Sequence, residues 1–259
     1  MVSLHFWNDN HPIFTERKPT AKGKLVGDSV YYWWYRTLHL SEKYSAACKA
    51  NGKGLSKIYA DFGDVFSYRP DQQGFKKWWQ QPHEAYGHKD NLGSFLFAEP
   101  PLTQNLVALK QSDLAALMNG WDRTQVEIFA VPLNLPKNEI TKRIGALLDK
   151  NPHRRLSSKN RRASFARYPV LESFSSTTSN KSHTVAIENA LDMFAWKQEQ
   201  PKLASWKILY EHEGGGKEVT AQLERRYTNE AQRRLTRAKA LIKGVEQGIF
   251  PAGARTNKR

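Results

Sequence analysis

Arginine and lysine side chains recur near the C-terminal end of this sequence at spacings that suit an anion-binding helix. A guanidinium group is bidentate toward a phosphate or the edge of a guanine, whereas an ammonium group is a compact point charge. The chemistry that this set offers is non-covalent recognition of nucleic acid. The candidate contact residues are Arg225, Arg226, Arg233, Arg234, Arg237, Lys239 and Lys243.

A second basic run covers residues 153–167 and precedes a stretch rich in Ser and Thr. As an extended arm it would lie along phosphates or in a minor groove. Contacts of this kind add affinity without sequence information, and they weaken as salt rises. A solubilising tether is the alternative interpretation. The candidates here are Arg154, Arg155, Arg161 and Arg162.

Residues with catalytic potential are few. Four carboxylates could form a metal-dependent nuclease site, but no spacing fixes their geometry, and no Lys follows Glu127 at a short distance. The single cysteine, Cys48, excludes an internal disulfide framework and a cysteine zinc cluster. We therefore expect no catalytic residue, no cofactor and no metal, with a nuclease as the weakest alternative. Its residues would be Asp61, Asp64, Glu99 and Glu127.

The charge balance restricts the class of partner. The chain has 259 residues, with 40 Lys and Arg against 25 Asp and Glu, for a formal charge of +15. Nucleic acid, an anionic membrane and an acidic protein are the partners that such a charge attracts. No stretch approaches the roughly 18 apolar residues of a membrane span, and the first residues do not have the pattern of a signal peptide. We expect a cytoplasmic protein with no membrane partner.

The charge is unevenly distributed along the chain. Residues 1–150 carry 19 Lys and Arg against 15 Asp and Glu, whereas residues 151–259 carry 21 against 10. Six of the eight Trp residues lie in the first part. This contrast predicts an aromatic-rich α+β body at 1–150, a basic, Ser/Thr-rich linker at 151–180, and a helical, basic nucleic-acid-binding module at 181–259.

The patterns of the body predict helices and strands in alternation, and hence an α+β fold. Helices are expected at 30–50, 74–81, 104–117 and 139–148. Strands are expected at 57–66, 94–98 and 125–133, of which the last has the clearest pattern.

Three helices are predicted for the C-terminal module, at 184–199, 203–212 and about 229–247, the last with a start near Val219 in a longer version. In the third, Ala231, Leu235, Ala238, Ile242 and Val245 fall within about 40° of a common direction, which makes an apolar stripe. Arg233 and Arg237 point away from the stripe. This order predicts an all-α, helix-turn-helix-like module whose last helix enters a major groove.

Two aromatic clusters, at 31–35 and 78–79, allow more than one interpretation. Rings of this kind stack on bases in single-strand binders, and they also form hydrophobic cores and docking surfaces. A protein partner at the body is therefore an open alternative. The tryptophans concerned are Trp33, Trp34, Trp78 and Trp79.

Several segments together resemble a family of bacterial proteins associated with prophages, plasmids and other mobile elements. These segments are 31–54, 58–66, 75–79, 96–100, 131–140 and 233–251. The resemblance implies a mobile-element context and a helix-turn-helix-like C-terminal segment, but no particular activity.

The function expected from these patterns is duplex DNA binding, as a regulator or accessory factor of a phage or mobile element. A protein-interaction or phage structural role, with the basic surface on an acidic partner, is the first alternative. RNA or single-strand binding is the second.

Overall fold

Helices account for most of the regular structure, and three pairs of short strands complete it. The computed structural model describes residues 5–6, 11–14, 24–85, 88–99, 129–150, 166–168, 170, 180–213, 216 and 218–251. The helices are α1 Val30–His39, α2 Glu42–Lys49, α3 Ser56–Phe62, α4 Gln72–Trp79, α5 Leu92–Phe97, α6 Lys137–Lys150, α7 Asn180–Glu199, α8 Ser205–Glu213 and α9 Ala221–Val245.

Each sheet has two strands, and each is small. β1 (His5–Phe6) pairs antiparallel with β6 (Ala98–Glu99), and β2 (Pro12–Ile13) pairs parallel with β3 (Lys24–Leu25). β4 (Pro82–Ala85) and β5 (His88–Asn91) form an antiparallel hairpin. At this coarse level the architecture agrees with the predicted α+β class, with helices predominant.

The helix predicted at 30–50 is two helices. Leu40 and Ser41 interrupt it, and the Ser41 hydroxyl accepts a hydrogen bond from the backbone N–H of Tyr44 at 3.0 Å. A serine that caps a helix in this way satisfies a donor that the first turn leaves unpaired. The helix predicted at 74–81 is confirmed as α4, which Asp71 caps through the N–H of Gly74 at 2.8 Å.

Two predicted strands are wrong. Residues 57–66 form α3 followed by a 3₁₀ turn at Val65–Ser67, and residues 94–98 lie largely in α5. Both segments are short and partly buried, and periodicity over so few residues does not distinguish a buried helix from a buried strand. Asn91 starts α5 by accepting a hydrogen bond from the Ser94 N–H at 2.8 Å.

The strand predicted at 125–133 is also wrong for residues 129–133, which are coil and turn. Pro132 and Pro136 lack the N–H that a ladder needs. Residues 125–128 and the helix predicted at 104–117 lie outside the described residues. The helix predicted at 139–148 is confirmed, because α6 covers these residues. It begins directly after Pro136.

The three C-terminal helices are confirmed as α7, α8 and α9, and α9 has the longer of the two predicted extents. α9 packs against both α7 and α8. Of the helices in the described part of the chain, none is long and apolar enough to cross a bilayer.

One large hydrophobic cluster includes residues from both ends of the sequence. Trp34 of α1 lies at 0% exposure, and its ring centroid is 5.4 Å from that of Phe250. Ile187 and Leu191 of α7, and Leu241 and Val245 of α9, belong to the same cluster. The body, the linker and the basic module thus differ in their charge along the sequence. Their division into separate domains stays a prediction.

Candidate nucleic-acid interface

Helix α9 has one packed side and one exposed side. Its buried residues are Ala231, Leu235, Ala238, Leu241, Gly244 and Val245. The helical period places Asn229 at the centre of the opposite side. We call the exposed polar residues within about 80° of Asn229 the outward face of α9. Its members are Gln222, Arg225, Arg226, Asn229, Gln232, Arg233, Thr236, Lys239 and Lys243.

The outward face carries five cations. By the same period the two carboxylates of the helix, Glu224 and Glu230, lie about 140° and 100° from Asn229. No acidic residue of α9 therefore lies on the outward face, although Glu230 at its edge pairs with Arg233 at 2.7 Å and balances part of the charge there. The cations are Arg225, Arg226, Arg233, Lys239 and Lys243.

The first turns of α9 are less deeply packed than the rest of the helix. Its fully buried residues begin only at Ala231, and within 221–230 Tyr227 is half-buried and packs against Tyr210 of α8. The Thr220 hydroxyl caps the start by accepting a hydrogen bond from the Leu223 N–H at 3.2 Å. A capped helix with one packed side presents its exposed side chains in fixed register.

Arg234 differs from the other predicted contact residues, because it is engaged within the protein. Its side chain is 12% exposed and forms ion pairs with Glu230 at 2.8 Å and with Glu213 at the end of α8. The pair with Glu213 holds the end of α8 against the middle of α9, and the pair with Glu230 lies within α9. The two carboxylates balance the charge of Arg234, so it adds little to the field of the outward face.

Arg237 lies at the edge of the outward face and is half-buried. Burial is the main cause that lowers the pKa of Arg237, and the nearby charge of Arg233 lowers it further. Its guanidinium stays charged, because the pKa of Arg lies far above neutrality. A cation that is both poorly solvated and close to another cation gains from an anionic ligand.

The end of α9 is fixed to the rest of the molecule. The Ser41 hydroxyl donates to the Glu246 carboxylate at 2.7 Å, and the ammonium group of Lys43 lies 3.6 Å from the same carboxylate. Met193, Ile208 and Leu209 pack with Ala231 and Leu235 in a second hydrophobic cluster. The outward face is therefore mounted on a rigid base.

An open groove of about 760 Å³ lies between the end of α8 and the first half of α9. Its walls are polar, with guanidinium groups on one side and the two carboxylates that hold Arg234 on the other. Such walls suit a charged, extended ligand rather than an apolar small molecule. The lining includes Glu213, Gln222, Arg225, Arg226, Asn229 and Arg233.

The predicted linker contacts, Arg154, Arg155, Arg161 and Arg162, lie outside the described residues. The end of the basic run is described, and it is anchored. Arg167 pairs with the Asp61 carboxylate at 2.7 Å, and the Tyr168 hydroxyl donates to the same carboxylate at 2.5 Å. The guanidinium of Arg167 also lies 4.7 Å from the centre of the Phe95 ring.

The four clustered tryptophans are core residues. Trp33, Trp34, Trp78 and Trp79 are between 0% and 3% exposed. Their rings pack against neighbouring aromatic rings, as in the stacked pair of Trp79 and Phe97 with centroids 5.7 Å apart. They are therefore inaccessible both to a stacking base and to a docking partner.

Two carboxylates of the nuclease alternative, Asp61 and Asp64, make structural contacts within the protein. Asp61 holds Arg167 and Tyr168, and Asp64 accepts hydrogen bonds from the Phe66 N–H at 3.0 Å and the Ser67 hydroxyl at 2.9 Å. Glu99 is 2% exposed in β6, and Glu127 is outside the described residues. Among the described residues no three His, Cys, Asp or Glu are grouped as a metal site.

Gln222 and Asn229 are two members of the outward face that the charge pattern did not indicate. They are uncharged, so a search for cations passes over them. Their signal is the helical spacing, because residues seven apart return to the same side of a helix after two turns.

No family model, curated protein or solved structure matches this chain. The class that the structure defines is a mainly helical protein with a cationic helix face. The resemblance to mobile-element proteins stays a prediction.

Proposed function

We propose that this protein binds duplex DNA through the outward face of α9. The observation that carries this proposal is the set of five exposed cations on one side of a single rigid helix, with no carboxylate of that helix among them. Cations in this arrangement neutralise phosphates and displace the counterions that surround the duplex.

Two further observations favour a duplex over a single strand. The outward face has no aromatic residue, whereas proteins that bind single strands stack bases on exposed rings. Tyr227, the aromatic residue of α9, is half-buried and packs edge-on against Tyr210 with centroids 5.5 Å apart. The body supplies no replacement from its clustered tryptophans, since they are buried.

In this proposal α7, α8 and α9 form a three-helix unit with α9 in the place of a recognition helix. Residues 214–220 connect α8 to α9 and are more numerous than the three or four of a helix-turn-helix turn. Packing and the ion pair between Arg234 and Glu213 therefore set the angle of α9 to α8, rather than a tight turn. A regulator or accessory factor of a mobile element is the proposed setting.

Fluorescence anisotropy with a labelled duplex of about 30 base pairs, over a range of salt concentrations, tests the proposal. We expect Arg226→Ala with Arg233→Ala to weaken binding and to reduce the slope of log K against log salt by roughly one for each phosphate that is no longer neutralised. Lys76→Ala with Lys77→Ala, on exposed positions of α4, is the matched control and should change neither quantity.

Equal binding of the α9 variant and the wild type would overturn the proposal, and so would an absence of binding at low salt. Single-stranded DNA, RNA and polyglutamate serve as competitors. Stronger competition by polyglutamate than by duplex DNA would favour the alternative in which the basic face meets an acidic protein. Stronger competition by RNA or single strands would favour the other alternative.

A further inference from the structure

The outward face of α9 is sorted by side-chain type. Its first three turns hold three amides and three guanidinium groups, and its lysines lie further toward the C-terminal end. Two of these amides and two of these guanidinium groups are spaced four, three and four apart, which places them in a line from Asn229 to about 60° on one side of it, whereas Arg225 and Gln232 lie on the other side. We call the four residues of this line the reading strip, and they are Gln222, Arg226, Asn229 and Arg233.

Side chains of these two types have defined partners in the major groove. Asn and Gln bind adenine through two hydrogen bonds, and Arg binds guanine in the same way. A lysine is a point charge that suits a phosphate. Lys239 and Lys243 are thus placed as backbone contacts beyond a line of base-reading groups.

The members of the reading strip are accessible. All four are exposed, and within the described part of the chain Gln222, Arg226 and Asn229 have no side-chain hydrogen bond to another residue. Arg233 pairs with Glu230 at 2.7 Å, and its side chain is 77% exposed. An exposed ion pair of this kind contributes little to stability and exchanges readily for a better partner.

The dimensions of the strip also suit a groove. Residues 222–233 rise by about 16 Å along the helix axis, which corresponds to roughly five base pairs. All four residues of the strip are exposed on the side of α9 that is turned away from its buried residues, and a major groove about 12 Å wide admits a helix that presents such a side.

We infer that α9 recognises a DNA sequence, and that the reading strip determines it in the major groove. Gln222 and Asn229 select adenine, Arg226 and Arg233 select guanine, and the lysines hold the adjacent phosphates. The recognised element is a purine-rich run of about five base pairs. This inference rests on the proposed function, since it requires that α9 bind duplex DNA.

Selection from a randomised duplex library by the full-length protein, followed by sequencing of the bound fraction, tests the inference. We expect an enriched motif with adenine and guanine at neighbouring positions. Asn229→Ala should remove the preference at one adenine position, a loss of roughly 5- to 100-fold in discrimination there. Arg226→Ala should do the same at one guanine position.

Lys239→Ala with Lys243→Ala is the matched comparison. It should weaken binding to all sequences alike and lower the salt slope, while the enriched motif stays the same. All of these substitutions are at exposed helix positions, and circular dichroism checks that each variant is folded.

The outcomes separate the inference from the proposed function. Duplex binding with no enriched motif would overturn sequence reading and leave DNA binding in place. A motif that is unchanged in Asn229→Ala and in Arg226→Ala would overturn the assignment of the strip. An absence of duplex binding would overturn both proposals.

Discussion

At the scale of single residues, Asp61 shows how a charged side chain acquires a structural role. It lies in α3 at 7% exposure, and both carboxylate oxygens accept hydrogen bonds, one from Arg167 and the other from Tyr168. Burial, and then the hydrogen bond to Asp61, raise the pKa of the Tyr168 hydroxyl. The Tyr168 ring in turn packs edge-on against Phe62, with centroids 4.6 Å apart. Asp61 therefore anchors the end of the basic run on the body.

Replacement of this carboxylate should destabilise the protein. Asp61→Asn removes the charge that pairs with Arg167 and leaves an amide donor facing the Tyr168 hydroxyl. Hydrogen bonds to charged groups are worth about 1.5–3 kcal/mol, and we expect a loss of that order in the free energy of unfolding, measured by urea titration. Glu211→Gln, on an exposed position of α8, is the control. A midpoint equal to that of the control would contradict the anchoring role.

His39 should make stability depend on pH. Burial, and then the charge of Arg36, lower the pKa of His39 to about 4, although Asp64 acts in the opposite direction. Its Nε2 atom is buried and has no hydrogen-bond partner among the described residues. The neutral ring is therefore favoured in the folded state, and the unfolded chain binds the proton more readily. The contribution of the neutral His39 ring to the free energy of unfolding is complete above a pH of about 6.5 and is lost as the pH falls toward about 4.

The size of this effect is about 1–3 kcal/mol across that window, from the linkage between pKa and stability. Urea midpoints measured at intervals between the two pH values should fall with pH in the wild type and fall less in His39→Gln. Parallel curves for the two proteins would show that another group is responsible.

At the scale of elements, the space around a helical glycine shows how tightly that helix is packed. A Cβ atom on Gly93 of α5 would lie 2.0 Å from the Trp79 ring, whereas one on Gly145 of α6 meets nothing within 4 Å among the described residues. We expect Gly93→Ala to destabilise by about 1–3 kcal/mol or more, because the buried indole must move. Gly145→Ala should stabilise by up to about 1 kcal/mol through helix propensity. Thermal unfolding of both variants measures the contrast, and similar shifts would contradict it.

Some of the helices could be predicted from sequence patterns alone, and others could not. α7, α8 and α9 could be predicted because each alternates a packed stripe with a polar side, which fixes the helical period. α3 and α5 could not, because helices of seven and six residues are too short to establish a helical period, and α5 is buried on nearly every side. The break at Ser41 has a recognisable capping residue.

The candidate site, too, could be predicted from the sequence only in part. The cationic face follows from spacing, whereas the pairing of Arg234 with Glu213 does not. That pairing depends on how α8 packs against α9, which no local pattern records. The helical period does separate Arg233 from Arg234, which lie about 40° and 140° from Asn229, in agreement with side-chain exposures of 77% and 12%.

At the scale of the whole molecule, the main hydrophobic cluster connects the aromatic body to the base of the basic helix. Leu241 and Val245 of α9 are 1% and 0% exposed and share this cluster with Trp34, Phe62 and Phe97. The outward face of α9 is thus coupled to the body through its own packed side. Stability of the body and presentation of the cations should therefore change together.

Leu241→Ala tests this coupling. Truncation of a buried leucine costs about 2–5 kcal/mol, since it removes apolar contact and leaves a cavity. If α1 and α9 unfold as one cooperative unit, the substitution should lower the free energy of hydrogen exchange by the same amount in both helices. Hydrogen exchange in sub-denaturing urea measures this free energy. The matched control is Gln232→Ala, on the outward face, which should leave protection unchanged in both. Loss of protection confined to 180–251 would show instead that the basic helices form an independent domain, as the distribution of charge along the sequence predicts.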